Sequence, residues 1–323
     1  YMYRKIMDFL EEWKNEEHRK PLILQGARQV GKTYAILEFG RTHYENVAYF
    51  NFETNPKLNE TFEENISPDY LIPILSHIAG QTIVTEKTLI VFDEIQLCER
   101  ALTSLKYFYE ERPDYHIIVA GSLLGVAVNR ARFSFPVGKV DMKTLYPMDL
   151  EEFMIAMGEN SLVDQIKKCF ETNESMPSAL HDAAMQLYRQ YLVVGGMPEC
   201  VMQFAETKDY ILIRHTQDTI LASYLNDMSK YNNLNEIKKT RLAYDNITVQ
   251  LSKKNTRFQY KLIKKGGRAS EFENAIEWLC LSGIVSQVYK VEQIRKPLEN
   301  YRDIDAFKIY VSDLGLLCAK KDI

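Results

Sequence analysis

The residues with the clearest chemistry are Gly26, Ala27, Arg28, Gln29, Val30, Gly31, Lys32 and Thr33, a G-x-x-x-x-G-K-T loop. An apolar run, Leu22-Ile23-Leu24-Gln25, precedes it, and a helix start, Tyr34-Ala35-Ile36-Leu37, follows. In that order the backbone N–H groups of the loop point inward at a polyphosphate, and the following helix aims its positive end at the same charge. The two glycines permit the bend. Lys32 would reach the terminal phosphates, the Thr33 hydroxyl would sit on a magnesium ion bridging them, and Tyr34 would close the run of nucleotide contacts. Arg28 is a further cation of unassigned role. A Gly-Lys-Thr after a strand also occurs as an ordinary turn, but here both glycines, the Lys-Thr pair and both flanking elements coincide.

The other half of such a site is expected at Thr88-Leu89-Ile90-Val91-Phe92-Asp93-Glu94, an apolar run ending in acid. It reads as a buried parallel strand whose carboxyl end reaches the ligand crevice. Asp93 would hold the magnesium directly or through its bound water, and Glu94 would orient and deprotonate the attacking water. The bland alternative is a solvated strand end. A glutamate that activates water favours hydrolysis over phosphate transfer to a small acceptor. No Asn-Lys-x-Asp motif for reading guanine is present, so ATP is expected rather than GTP.

His116–Ala120 is read as a further strand of the same sheet, and it brings Ser122 to the crevice as a sensor of the terminal phosphate, or as a plain turn cap. Asn51 and Glu53, after the strand Val47–Phe52, are weaker candidates for the same rim. Arg130 and Arg132 are read either as a solvated basic turn or as an arginine finger offered to a second copy of the chain. His43, His77 and His116 are each isolated and carry no ligand pattern.

The elements that must position these groups alternate between strand and helix from Pro21 to about Asp149. Strands are expected at Leu22–Gln25, Val47–Phe52, Leu89–Asp93 and His116–Ala120, with helices at Lys32–Thr42, Asp69–Ala79 and Ala101–Glu110. That alternation means βαβ units and a parallel sheet. Residues 1–20 form an N-terminal helix with Ile6, Phe9, Leu10 and Trp13 at helical spacing. Residues 150–234 read as a helical lid or bundle, with helices at Leu150–Met157, Leu162–Phe170, Ala179–Val194 and Ile211–Met228. The break at Gly195-Gly196 is either a hinge or a tight turn.

From 235 to 323 two helices, Ile237–Leu251 and Ala269–Ser282, surround a dense basic run: Lys253, Lys254, Arg257, Lys261, Lys264, Lys265 and Arg268. Strands at Ile284–Val291 and Phe307–Val311 follow. This is the order of a winged helix, which would place its cations against DNA phosphates; the alternative is a solvated face used for protein contacts.

At 323 residues the chain is long enough for two or three domains. Its 40 basic and 44 acidic residues give a net charge of −4, which excludes a global field that draws in nucleic acid. Five cysteines, none in a C-x-x-C pair, argue against a zinc site or a disulfide framework and suit a reducing, cytoplasmic setting. No run approaches the ~20 apolar residues of a membrane span.

Several strings together resemble the prokaryotic AAA-type ATPases that carry a C-terminal domain of unknown function (the AAA_14/DUF4143-like grouping). They are the phosphate loop, Leu89–Gln96, Gly121-Ser122, Tyr146–Phe153, Gly195–Glu199 and Phe307–Leu317. The resemblance spans nearly the whole chain, and the last three strings make it specific. It implies an AAA-like α/β P-loop NTPase core, a helical region, a winged-helix-like module and then a nuclease-like domain. The last is not within these residues, and with Tyr1 rather than Met at the start the sequence reads as a portion of a longer protein. Lys139 stands where the family commonly has arginine after glycine, which keeps the charge without the bidentate fork.

Two functions are therefore expected to compete. One is a magnesium-dependent ATPase acting as a molecular switch on DNA or a partner protein, with homo-oligomers in view. The other is a winged-helix DNA-binding regulator in which ATP is a slowly hydrolysed structural ligand. A P-loop kinase or GTPase is the outside reading.

Overall fold

A computed structural model of the chain describes residues 3–122, 136, 138–231, 234–254 and 256–321. Arg130 and Arg132 lie outside the described residues. The chain packs as two units, Tyr3–Tyr146 and the residues from Pro147 onward.

The first unit opens with α1 (Ile6–Asn15), followed by β1 (Leu22–Gly26), α2 (Lys32–His43), β2 (Asn46–Asn51), α3 (Lys57–Glu64) and α4 (Pro68–Ala79). After these come β3 (Thr88–Asp93), α5 (Glu99–Glu111), β4 (His116–Ser122) and β5 (Asp141–Thr144). The five strands form one sheet in the order β2-β3-β4-β1-β5, parallel throughout. All six residues of β3 are buried, as an unbroken apolar run covered on both faces requires. Ile23, Phe50, Phe92, Leu71, Leu105 and Phe108 belong to the core on one face. This is the P-loop NTPase fold, with the four expected strands and three expected helices in place. Two elements carried too little periodicity to be read from sequence. β5 has only four residues, none of them fully buried, and α3 is a short helix that buries just Leu58 and Phe62.

The second unit is mostly helical: α6 (Leu150–Ala156), α7 (Asn160–Thr172), α8 (Ser178–Val194), α9 (Pro198–Thr207), α10 (Tyr210–Tyr231), α11 (Leu234–Leu251), α12 (Ala269–Leu281) and α13 (Leu314–Lys320). An antiparallel ribbon, β6 (Val285–Val291) with β7 (Arg302–Val311), packs among the last of these. α6 starts on a capping box in which the Asp149 side chain accepts from the Glu152 N–H and Glu152 answers to the Asp149 N–H.

The three strings that made the resemblance specific meet inside this unit. The Met148 N–H donates to Gly196 O over 2.7 Å, and the Tyr191 hydroxyl donates to Met148 O over 2.8 Å. The Gly196 N–H donates to Asp313 Oδ2 over 2.6 Å, while Asp313 Oδ1 caps α13 by accepting from the Leu316 N–H over 2.9 Å. A Cβ on Gly196 would fall 1.9 Å from Met148 O, and one on Gly315 would fall 2.3 Å from Val194 O. Gly195-Gly196 is thus a tight, buried turn locked by a carboxylate rather than a hinge.

Candidate functional site

The phosphate loop leaves the carboxyl end of β1 and enters α2 through Gly31, whose φ of +89° lies in the left-handed region that glycine alone adopts freely. Gln29 also has a positive φ, of 65°. Gly26 is required for a different reason. A Cβ there would sit 2.4 Å from Leu145 O, because the chain after β5 runs against the loop and the Leu145 N–H donates to Gln25 O over 2.8 Å. From beneath, buried Arg4 donates to Val30 O over 3.0 Å and to Tyr146 O over 2.7 Å. Ala27 and Val30 are buried, Arg28 is half-buried and Tyr34 is exposed.

α2 begins with no side-chain cap and no acid in its first turn, so its opening N–H groups are left for an anion. Lys32 curls over the loop and donates to Gly26 O over 3.0 Å and to Ala27 O over 2.8 Å. Burial lowers its pKa to about 8, against the attraction of Glu94 and Asp93. A largely buried ammonium bonded to two neutral carbonyls gains most from an arriving anion.

β4 lies between β1 and β3, so the loop and the acidic strand end flank one crevice. Asp93 is buried, and its Oδ2 accepts from the Thr33 hydroxyl over 2.9 Å. Its Oδ1 accepts from the Glu94 N–H over 2.9 Å. Glu94 itself has φ +55°, ψ +42°, a left-handed conformation rare for a side chain of its kind, and a single 3-10 turn follows it. Its Oε2 accepts from the Gln96 amide, and burial raises its pKa. Ser122 ends β4 in register with Gly26, so both expected ends of the crevice adjoin.

Sequence reasoning missed one polar partner. The Tyr49 hydroxyl donates to Asp93 Oδ2 over 2.7 Å and accepts from Asn51 Nδ2 over 3.2 Å. Asn51 therefore meets the site through Tyr49, while its own Oδ1 accepts from the Glu53 and Thr54 N–H groups. Tyr49 falls on the face of β2 shared with Asn51, two residues apart, and that period was the available signal.

Other candidates lie elsewhere. Lys139 pairs with Glu110 at 3.0 Å. It lies just ahead of Asp141, which adjoins Leu22 at the start of β1, so about 13 Å of strand separates that level from the loop. His116, the first residue of β4, is buried and bonded to the Tyr44 hydroxyl at 2.7 Å, with its pKa lowered to about 3 by burial. The five cysteines are free, and the described residues contain no cluster of three or more His, Cys, Asp or Glu able to hold a metal. Among the described residues no helix is long and apolar enough to cross a membrane.

In the second unit the basic run falls between α11 and α12, with all seven cations exposed. Its aromatics point the other way: Phe258 is buried and stacks on Phe307, with Tyr260 at its edge. α12 itself carries Glu271, Glu273 and Glu277 and no lysine or arginine.

Comparison with known proteins accords with this architecture. Residues 18–154 match the family model described as an AAA domain, and residues 185–323 match that of a domain of unknown function, DUF8612. No curated protein matches the chain. Among solved structures, the chain is similar to the Walker-type ATPase Paby2304 of Pyrococcus abyssi, at 13% identity over 99% of this chain and 96% of that one, with a TM-score of 0.59. Looser similarity extends to the Aeropyrum pernix Orc1 protein in complex with DNA (14% identity, 99% and 91% covered, TM-score 0.35). It extends also to AMPPCP-bound DnaA from Aquifex aeolicus (12%, 87% and 91%, 0.37).

Proposed function

We propose, from the match of residues 18–154 to an AAA domain model and of residues 185–323 to that of a domain of unknown function, that the protein binds ATP with magnesium and hydrolyses it slowly, as a nucleotide-driven switch. The observation that carries this reading is the 2.9 Å bond between Thr33 and Asp93 beside an inward-folded Lys32. A carboxylate and a hydroxyl aimed at each other across an uncapped helix start suit a magnesium-bound polyphosphate.

In this reading the N–H groups of Gly26 to Thr33 surround the phosphates and Tyr34 lies at the nucleotide's edge. Lys32 exchanges two carbonyls for phosphate oxygens. Thr33 and Asp93 hold the magnesium, which when bound offsets phosphate charge. Glu94, held by Gln96 and raised in pKa, accepts the proton of the attacking water. Ser122, next to Gly26, senses the terminal phosphate.

The target is DNA or a partner protein. Exposed cations from Lys253 to Arg268 favour contact with a phosphate backbone, and the order of α11, α12 and the β6–β7 ribbon supports reading the module as winged-helix-like. The three glutamates of α12 disfavour seating that helix in the major groove, so binding that is indifferent to sequence is the form expected. Free cysteines suit a reducing, cytoplasmic setting. The alternative, a DNA-binding regulator with ATP as a structural ligand, shares the same sites and differs in turnover.

The test is magnesium-dependent ATP hydrolysis with and without double-stranded DNA, beside the Glu94→Gln variant. Turnover that is lost in the variant supports the switch. Tight ATP binding without turnover in either protein supports the structural-ligand alternative, and no nucleotide binding at all overturns both.

A further inference from the structure

Asp93 is more crowded than its proposed role requires. A carboxylate offers about four acceptor positions over its two oxygens. Among the described residues three are taken: Oδ1 by the Glu94 N–H, and Oδ2 by the hydroxyls of both Thr33 and Tyr49. The oxygen that faces Thr33 is thereby filled.

Orientation of Asp93 does not need Tyr49. The carboxylate is buried, one oxygen is pinned by its neighbour's backbone and the other by Thr33. Tyr49 differs from these two in its exposure to solvent. It stands on β2, the edge strand, between buried Ala48 and Phe50, and its own side chain is 38% exposed. Asn51 donates to the same phenol oxygen, which polarises the hydroxyl and strengthens its donation to Asp93.

We infer that Tyr49 is a placeholder on Asp93: its hydroxyl occupies the acceptor position that a magnesium ion or its bound water must take, and it sets how much magnesium the nucleotide site requires. The inference rests on the nucleotide reading of the site and adds to it a residue that tunes cation affinity. It gives Tyr49 a sign opposite to that of a supporting residue. If the phenol merely steadied Asp93, removing the hydroxyl would weaken the cation site; a competitor, once removed, strengthens it.

The test measures binding of a fluorescent ATP analogue to the full chain at rising magnesium, and again in EDTA, for the wild type and Tyr49→Phe. The half-saturating magnesium concentration is expected to fall about tenfold or more in the variant, the range for giving up one hydrogen bond to a charged group. Affinity in EDTA is expected to stay within about twofold, because the phenol makes no bond to phosphate.

A second measurement uses the wild type and does not depend on the variant's folding. With tyrosines labelled at Cζ, the Tyr49 resonance is followed by NMR, placed by single-site labelling. It is expected to shift on adding ATP with magnesium and to stay put on adding ATP in EDTA. An unchanged or raised magnesium requirement in Tyr49→Phe, or a Tyr49 signal indifferent to magnesium, overturns the inference and leaves the nucleotide site standing. Failure of the wild type to bind the analogue at all overturns the nucleotide reading and this inference with it.

Discussion

The Thr33 hydroxyl and the Asp93 carboxylate, sixty positions apart in sequence, meet at 2.9 Å across the crevice between the phosphate loop and the end of β3. The loop brings the hydroxyl on the first turn of α2, and the buried strand brings the carboxylate. Catalytic consequences follow from what stands next to each.

Glu94 is adjacent to Asp93 but turned by its left-handed backbone toward Gln96. In Glu94→Gln the side chain keeps its shape and can still meet Gln96, yet it cannot take a proton. Steady-state hydrolysis is expected to drop about a hundredfold or more, with ATP affinity within a few-fold of wild type. Equal turnover in the two proteins removes Glu94 from the chemistry.

Lys32 supplies the pH dependence. Its pKa in the free protein is lowered to about 8, so it is charged below that value and increasingly neutral above it. Bound phosphate favours the charged form, so binding above pH 8 takes up a proton and weakens as pH rises, by about tenfold per unit until the pKa of the complex is reached. Below about pH 7 the lysine contributes no slope. Calorimetry across pH 6.5 to about 9.5 reads this directly, and Lys32→Ala should bind poorly and lose the slope.

Asp313 is almost fully buried and accepts from the Gly196 and Leu316 N–H groups. Asp313→Ala leaves both donors buried without acceptors, at a cost of about 3 kcal/mol. The second unit should then melt about 5–10 °C lower, read by differential scanning calorimetry. Gly196→Ala, which drives a Cβ into Met148 O, is expected to be at least as damaging.

Lys253, Lys254 and Lys261 are exposed cations at the proposed DNA surface. Replacing all three by alanine should weaken binding to unrelated duplexes equally and flatten the plot of log affinity against log salt by about 0.9 for each phosphate no longer neutralised. Fluorescence anisotropy at several salt concentrations decides it. Affinity that survives unchanged assigns the surface to a protein partner.

The phosphate loop and the acidic strand were legible because their signals are local: residue types at fixed spacing inside one strand–loop–helix. The boundaries of β1, β3 and α2 follow from the same short windows. Four features lay beyond that reach. Arg4 grips Val30 from beneath across 26 positions of sequence, and β5 takes its place by pairing with β1 across more than a hundred residues. Tyr49 could be assigned to a strand but not to a partner. The Gly195-Gly196 break was visible as a break, yet whether it bends or locks depends on a carboxylate 117 positions downstream.

That separation has a consequence for biogenesis. The turn at Gly196 is made early in synthesis of the second unit, but the group that secures it is Asp313, and α13 closes against Val194 only after that. At about 5–20 residues per second, a ribosome leaves the α8–α9 corner without its anchor for several seconds or more. The nascent helices wait in that interval with their apolar faces open, so chaperone dependence during translation should fall on this unit.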